Sequence, residues 1–347
     1  MTAWTEHLAH LGATLGEHAV TFAEPATEAR TAGTATIAVP LLHLGLIRAA
    51  GPDSAAFLHN LVSNEVNKLE PDTAAWNSFN SPKGRMIASF LMWPEAEGHA
   101  LALSADILPA FLKKLSMYVL RSKVKLANAN ANAGAELALV GLAGPAAATI
   151  LQAAGIPLPA ADMKQAVDEA GVRCIRLGAH CFIIAAPADG AGPLFDALLA
   201  AGAIKAGTAA WQLVMVRAGL PLITAPTQEE FVAQMLNYEL IGGVSFNKGC
   251  YPGQEIVART QYLGKLKKRM YRVAIAAGID AAPGMDLYAP DFGEQSAGKL
   301  VNVAPAPDGG LEALAVLQSS SAEAGEIHLG APAGPALQLL ALPYTLS

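Results

Sequence analysis

Two stretches of this chain, 93 positions apart at Pro52 and Pro145, share one pattern. Residues 46–61 read LIRAAGPDSAAFLHNL and residues 138–154 read ALVGLAGPAAATILQAA. Each has a short apolar run, an Ala-Gly-Pro break, then a helical segment. In the first copy Phe57, Leu58, Leu61, Val62, Val66 and Leu69 recur at helical spacing. Asp53, just after the Gly-Pro turn, is expected to cap that helix. A second strand–helix pair follows in each copy, HALALSADILPAFLKKL from His99 and HCFIIAAPADGAGPLFDALLAA from His180. The reading is an α+β chain with a duplicated lobe. VRCIRLGAHCFIIA (172–185) alternates around Gly-Ala as a β-hairpin. Cys174 and Cys181 fall on opposite arms, where they could face each other.

The rest of the chain has different textures. The first forty residues include TFAEPATEARTAG, small and polar, which reads as an arm or linker. The ordered body is expected from Leu41. From Met270, short apolar runs alternate with Pro and Gly turns, including the hairpin signal PDGG at 307–310. That spacing predicts a small β-barrel. The expected organisation is an arm over 1–40, a module over 41–268 and a barrel over 269–347. Within the module, the lobes span about 41–130 and 135–210, followed by a central segment over 211–268.

Composition excludes several classes. At 53% hydrophobic and 15% charged, the chain is a folded globular protein. A net charge of −6 argues against a chain built as a whole to coat nucleic acid. Leu137 to Ala161 carries no charge, but Gly144, Pro145, Gly155, Pro157 and Pro159 interrupt it, so no membrane span is expected. The start MTAWTEHLAH lacks the pattern of a signal peptide. Three cysteines do not form a disulfide framework. The expected compartment is the cytoplasm. Cys and His spacing predicts no metal site.

The chemistry concentrates in FNKGCYPGQEIVART (246–260). Pro252-Gly253 suits a type II turn, and Gly249 and Gly242-Gly243 allow close backbone approach. Cys250 is thus expected in a tight loop. In extended chain Lys248 shares its side and would lower its thiol pKa, with Glu255 opposing. Three residues suited to turns, with a cation, an acid and an amide around a cysteine, fit a polar ligand better than a core. Downstream, Arg259, Lys265, Lys267, Lys268, Arg269 and Arg272 place six cations in fourteen residues with no acid. That patch suits an anionic cofactor, RNA phosphates or an acidic protein face. Tyr262 and Tyr271 are candidates for base stacking. SPKGR (81–85) is a second basic glycine turn.

KGCYPGQEIVAR resembles the signature of the YgfZ family, folate-binding proteins related to the T-protein (aminomethyltransferase) of the glycine cleavage system. GPDSAAFLHNLVSNEV, FNSPKGRMIASF and the segment from Trp211 to Glu255 are similar to further family segments. The resemblance covers residues 41–272 well and the barrel more loosely. It implies a folate-binding fold of two related αβ lobes and a C-terminal β-barrel around a central channel lined by the cysteine motif. It further implies tetrahydrofolate or a derivative as cofactor. The implied partners are iron–sulfur enzymes or their assembly proteins, such as the radical-SAM tRNA methylthiolase. The site expected on this basis has Cys250 as functional thiol with Lys248. Tyr251, Gly253, Gln254, Glu255, Arg259, Gln234, Lys83 and Arg85 are expected around the cofactor.

The T-protein's Asp-Asp pair after the first glycine turn is replaced here by Ala88 and Ser89. Its acidic hairpin turn is replaced by RLGAHCFII. A carboxylate pairs with a pterin edge and assists proton transfer, which these residues do not. Glycine-cleavage activity is therefore expected to be absent. Three readings remain at this point: an accessory factor for iron–sulfur enzymes, a one-carbon transferase, and a tRNA-binding module.

Overall fold

The computed structural model describes residues 2–130, 136–262 and 266–346. Lys265 and the side chain of Tyr262 lie outside the described residues. The chain forms two compact units. Unit 1 comprises Met1–Phe57, Val66–Ala75 and Leu91–Trp211; unit 2 comprises Leu58–Glu65, Trp76–Phe90 and Gln212–Ser347.

The repeat is visible inside unit 1. Strand Leu44–Ala50 runs antiparallel to Gly98–Ser104, and strand Leu137–Ala143 runs antiparallel to Cys181–Pro187. Each first strand ends at a glycine with positive φ, +133° at Gly51 and +135° at Gly144. A Cβ on Gly51 would meet the Lys123 carbonyl at 2.1 Å, and one on Gly144 would meet the Thr36 Cα at 2.5 Å. Glycine is required at both. The helices Ser54–His59 and Ala147–Ala153 follow, and each return strand leads into another helix, Leu108–Ser116 or Ala191–Ala200. Asp53 does not cap its helix with its side chain. Its carboxylate accepts from the Lys123 backbone N–H at 2.7 Å, fixing a distant turn.

The first forty residues are not an arm. Helix Ala3–His10 places Trp4 and Leu8 in the unit 1 core with Leu142, Phe182, Ile184 and Phe195. Trp4 meets Phe195 edge-on, with ring centroids 5.7 Å apart. The polar stretch folds because Glu28, in helix Pro25–Thr34, turns inward and accepts the backbone N–H groups of Phe22 and Ala23. Strand Ile37–Pro40 then lies in a six-stranded sheet, between Leu137–Ala143 and Ile204–Lys205.

The hairpin of Arg173–Gly178 and Cys181–Pro187 forms, but its register opposes Cys174 to Ile184 and Cys181 to Gly178. The two thiols therefore do not face each other. Burial pushes each up to about 12, leaving them as protonated thiols.

Unit 2 contains the barrel. Its strands, in spatial order, are Lys268–Ile275, Leu311–Gln318, Gly298–Pro305, Asp286–Tyr288, Ile327–Leu329 and Ala336–Leu340. The last pairs with the first, so no sheet edge is left open. Val273, Leu287, Leu300, Ala315 and Leu317 belong to its core. The turn at 307–310 is a hairpin as expected, with Gly309 at φ +89°.

The chain does not divide at residue 268. Arg217 makes a paired contact with Glu312, Asn302 exchanges two hydrogen bonds with the Leu222 backbone, and Asn237 donates to Met270 O. These bonds tie the segment after Trp211 to the barrel. Among the described residues no helix is long and apolar enough to cross a membrane.

Candidate functional site

The two basic glycine turns of the sequence come together in unit 2, backbone against backbone. Gly253 has φ +78°, and a Cβ there would stand 2.5 Å from Ser81 O and 2.6 Å from Gly84 Cα. Gly84 has φ +72°, and its own Cβ would meet Ile256 Cβ at 2.8 Å. SPKGR and CYPGQE are therefore halves of one structure, joined where neither can carry a side chain. Helix Gln254–Tyr262 starts from this contact.

Cys250 is exposed in the loop before that helix. The Lys248 ammonium is committed to other partners. The lysine is 6% exposed, and its ammonium donates to the carbonyls of His59 and Val62. It also lies 4.9 Å from the Tyr251 ring centroid. The expectation of a shared side assumed extended chain, but residues 246–248 bend. Lys248 instead satisfies carbonyls at and just past the end of helix Ser54–His59, which suits a cation. Burial lowers its pKa to about 8, with Glu65 opposing.

This depression predicts a pH effect. The folded ammonium releases its proton near pH 8, whereas the unfolded one does so near 10.5. Between these values the unfolded chain binds the extra proton, so stability rises with pH. In urea titrations at pH 7 and 9.5, wild type is expected to gain on the order of 1 kcal/mol relative to Lys248→Met. No relative change would contradict a buried, charged Lys248.

The other expected residues separate into two groups. Gln234 is buried and donates to Val257 O at 2.6 Å; its own Oε1 is buried without a partner. Arg85 donates to the carbonyls of Glu229 and Glu230. Gln254 reaches Lys248 O at 3.4 Å, and burial pushes the Tyr251 phenol up to about 12. These residues hold the loops. Cys250, Glu255, Arg259 and Lys83 are exposed and free to meet a ligand.

A cleft of about 480 Å³ lies along the helix, within the usual range for small-molecule sites. Val232, Met235, Ile256 and Leu266 give it apolar walls, and Arg259, Lys267 and Lys268 give it three cations. No carboxylate lines it among the described residues. Burial is the main cause that lowers the Lys268 pKa; Arg85 and Lys299 add to it, and Asp286 and Glu230 oppose it. The basic run is thereby split. Arg269 pairs with Glu239, whose side chain is 9% exposed, and Arg272 stands 3.9 Å from Glu312, a carboxylate it shares with Arg217; acids distant in sequence offset part of the run.

Two residues enter that the sequence reading missed. His59 Nδ1 lies 3.0 Å from Glu65 Oε1, and a Cβ on Gly249 would stand 3.9 Å from His59 Nε2. This places an imidazole against the residue preceding Cys250. His59 ends an ordinary amphipathic helix, so no local signal marked it. Elsewhere in unit 2, Ala88 and Ser89 are buried, and Ser89 accepts from the Ile223 N–H. Among the described residues no group of three or more His, Cys, Asp or Glu is arranged to hold a metal.

Comparison with known proteins fits this architecture. The chain is 28% identical over 305 residues to the tRNA-modifying protein YgfZ of Yersinia enterocolitica, covering 87% of this chain and 90% of that protein. It is 28% identical over 307 residues to the protein of the same name from Serratia proteamaculans, with the same coverage. Its fold matches the crystal structure of glycine cleavage system aminomethyltransferase T from Bartonella henselae, with a TM-score of 0.71 and 18% identity over 89% of this chain and 86% of that one. Residues 7–245 match the GCVT N-terminal domain. The chain belongs to the family of the GCVT N-terminal domain, and its similarity to YgfZ proteins extends through the cysteine turn that follows that domain.

Proposed function

We propose that this protein is a tetrahydrofolate-binding accessory factor in tRNA modification, acting through iron–sulfur enzymes such as the radical-SAM tRNA methylthiolase. One observation carries the site: helix Gln254–Tyr262 has the exposed Cys250 just before its start and supplies Ile256, Arg259 and Thr260 to a cleft with three cations. A folate has a body of a pterin and a benzoyl ring, apolar on its faces and hydrogen-bonding along the pterin edge, and a carboxylate tail. The walls from Val232, Met235 and Ile256 suit the body, and Arg259, Lys267 and Lys268 suit the tail. When bound, tetrahydrofolate would supply one-carbon chemistry at a pterin ring nitrogen and at its bridging amine nitrogen.

The protein's own residues do the rest. Lys248 and the Gly84–Gly253 contact fix the loop that presents the thiol. Cys250 supplies a soft sulfur ligand or nucleophile. The tRNA assignment follows the name of the YgfZ relatives, and the iron–sulfur clients follow the resemblance of the cysteine motif. A cleft without a lining carboxylate among the described residues, and buried Ala88 and Ser89, favour an accessory role over aminomethyl transfer.

The test is the level of methylthiolated tRNA in a strain lacking the protein, complemented at matched expression. Wild type is expected to restore the modification and Cys250→Ala to fail. Equal restoration would remove the thiol from the mechanism, and failure of wild type would remove the tRNA reading.

A further inference from the structure

A second surface lies in unit 1, away in sequence from the cysteine turn. From Ile107 to Asn130 the chain contains no acid and five cations, Lys113, Lys114, Arg121, Lys123 and Lys125, in a protein of net charge −6. Three large apolar side chains are exposed within this stretch: Met117 at 64%, Tyr118 at 41% and Leu120 at 89%. Helix Leu108–Ser116 already buries Leu108, Phe111 and Leu115, so these three are not its inward face.

The backbone adds an independent observation. Ser122 N–H bonds to Val119 O at 2.7 Å, closing a turn with Leu120 at its first central position. Leu120 has φ +42°. Turns with positive φ there take Gly, Asn or Asp, because a branched side chain is strained. Here the strained residue buries almost nothing, so the fold gains no packing from it. Strain kept without local return is typical of functional positions. The turn is also held in place, since Lys123 N–H is fixed by Asp53 and its carbonyl packs on Gly51. A surface ordered in advance loses little entropy on binding.

We infer that the turn Met117–Arg121 is a docking site for a partner protein whose contact face carries acidic residues around an apolar pocket. Methionine, tyrosine and arginine are the residue types enriched at interface centres, and lysine belongs to rims. Met117, Leu120 and Arg121 form the centre; Lys113, Lys123 and Lys125 surround it and steer an acidic face. Asp53 lies beside this turn, and Lys123 N–H occupies its Oδ2. RNA is disfavoured because the centre of the turn is largely aliphatic, whereas most nucleic-acid contacts go to phosphates and need charged or polar groups. A bilayer is disfavoured because its peripheral anchors use a long apolar helix face rather than one tight turn. The site does not depend on what the cleft in unit 2 binds.

The experiment places a benzophenone amino acid at position 120 of the full chain in its native host. The control position is Val167, a hydrophobic residue 47% exposed elsewhere in unit 1. Irradiation is expected to give one protein adduct at 120 and none at 167, with an acidic cross-linked peptide in the partner. That partner, purified, should bind Leu120→Gly and Arg121→Glu about tenfold more weakly than wild type. Leu120→Gly should melt no lower than wild type, because glycine relieves the positive φ. Absence of an adduct above the 167 control, an adduct to nucleic acid or lipid, or equal affinity for Leu120→Gly would each overturn the inference.

Discussion

Gly253→Ala is expected to destabilise the protein by about 3 kcal/mol, from left-handed strain plus overpacking. Its melting temperature should fall by about 6–12 °C. At φ +78° glycine is unstrained, whereas alanine is strained. The added methyl would lie 2.5 Å from Ser81 O and 2.6 Å from Gly84 Cα, both backbone atoms with no flexible end to move aside. The two turns must then separate, and the Cys250 loop and the start of its helix would shift with them. Gly242→Ala is the control. Gly242 has a similar φ of +73° but nothing within 4 Å of its would-be Cβ. It should lose only the backbone part, about 1 kcal/mol. Equal losses in urea denaturation would show that the contact between the turns contributes nothing.

Arg269→Met is expected to cost about 3–5 kcal/mol, because it leaves the Glu239 carboxylate charged and unpaired in the interior. The side chains are 13% and 9% exposed. Lys267→Gln, two residues away and exposed, should stay within about 0.5 kcal/mol of wild type. Chemical denaturation of both variants checks this. Similar stabilities would mean that the basic run is a single solvated patch after all.

Local patterns were legible where the structure is local. The strand–Gly-Pro–helix repeat, the hairpin over 172–185 and the barrel turns all follow from neighbouring residues. The misreadings involve distant partners. TFAEPATEARTAG looked like a linker because its one organising residue, Glu28, is an acid that turns inward to bind backbone N–H groups. Lys248 looked like a partner for Cys250 because only its sequence neighbours were visible; its real acceptors lie at His59 and Val62. The basic run looked uniform because Glu239 and Glu312, which neutralise part of it, are distant in sequence. SPKGR looked like an ordinary turn until Gly84 met Gly253.

The measurement that bears most directly on the cleft is a titration of tetrahydrofolate into wild type and into the triple variant Arg259→Gln, Lys267→Gln, Lys268→Gln under anaerobic conditions. Wild type is expected to bind, and the variant to bind about a hundredfold more weakly at low salt, from three lost charge-assisted contacts. Both should have the same unfolding midpoint. Equal affinity of the two proteins, or no binding by wild type, would contradict the assignment of this cleft to folate.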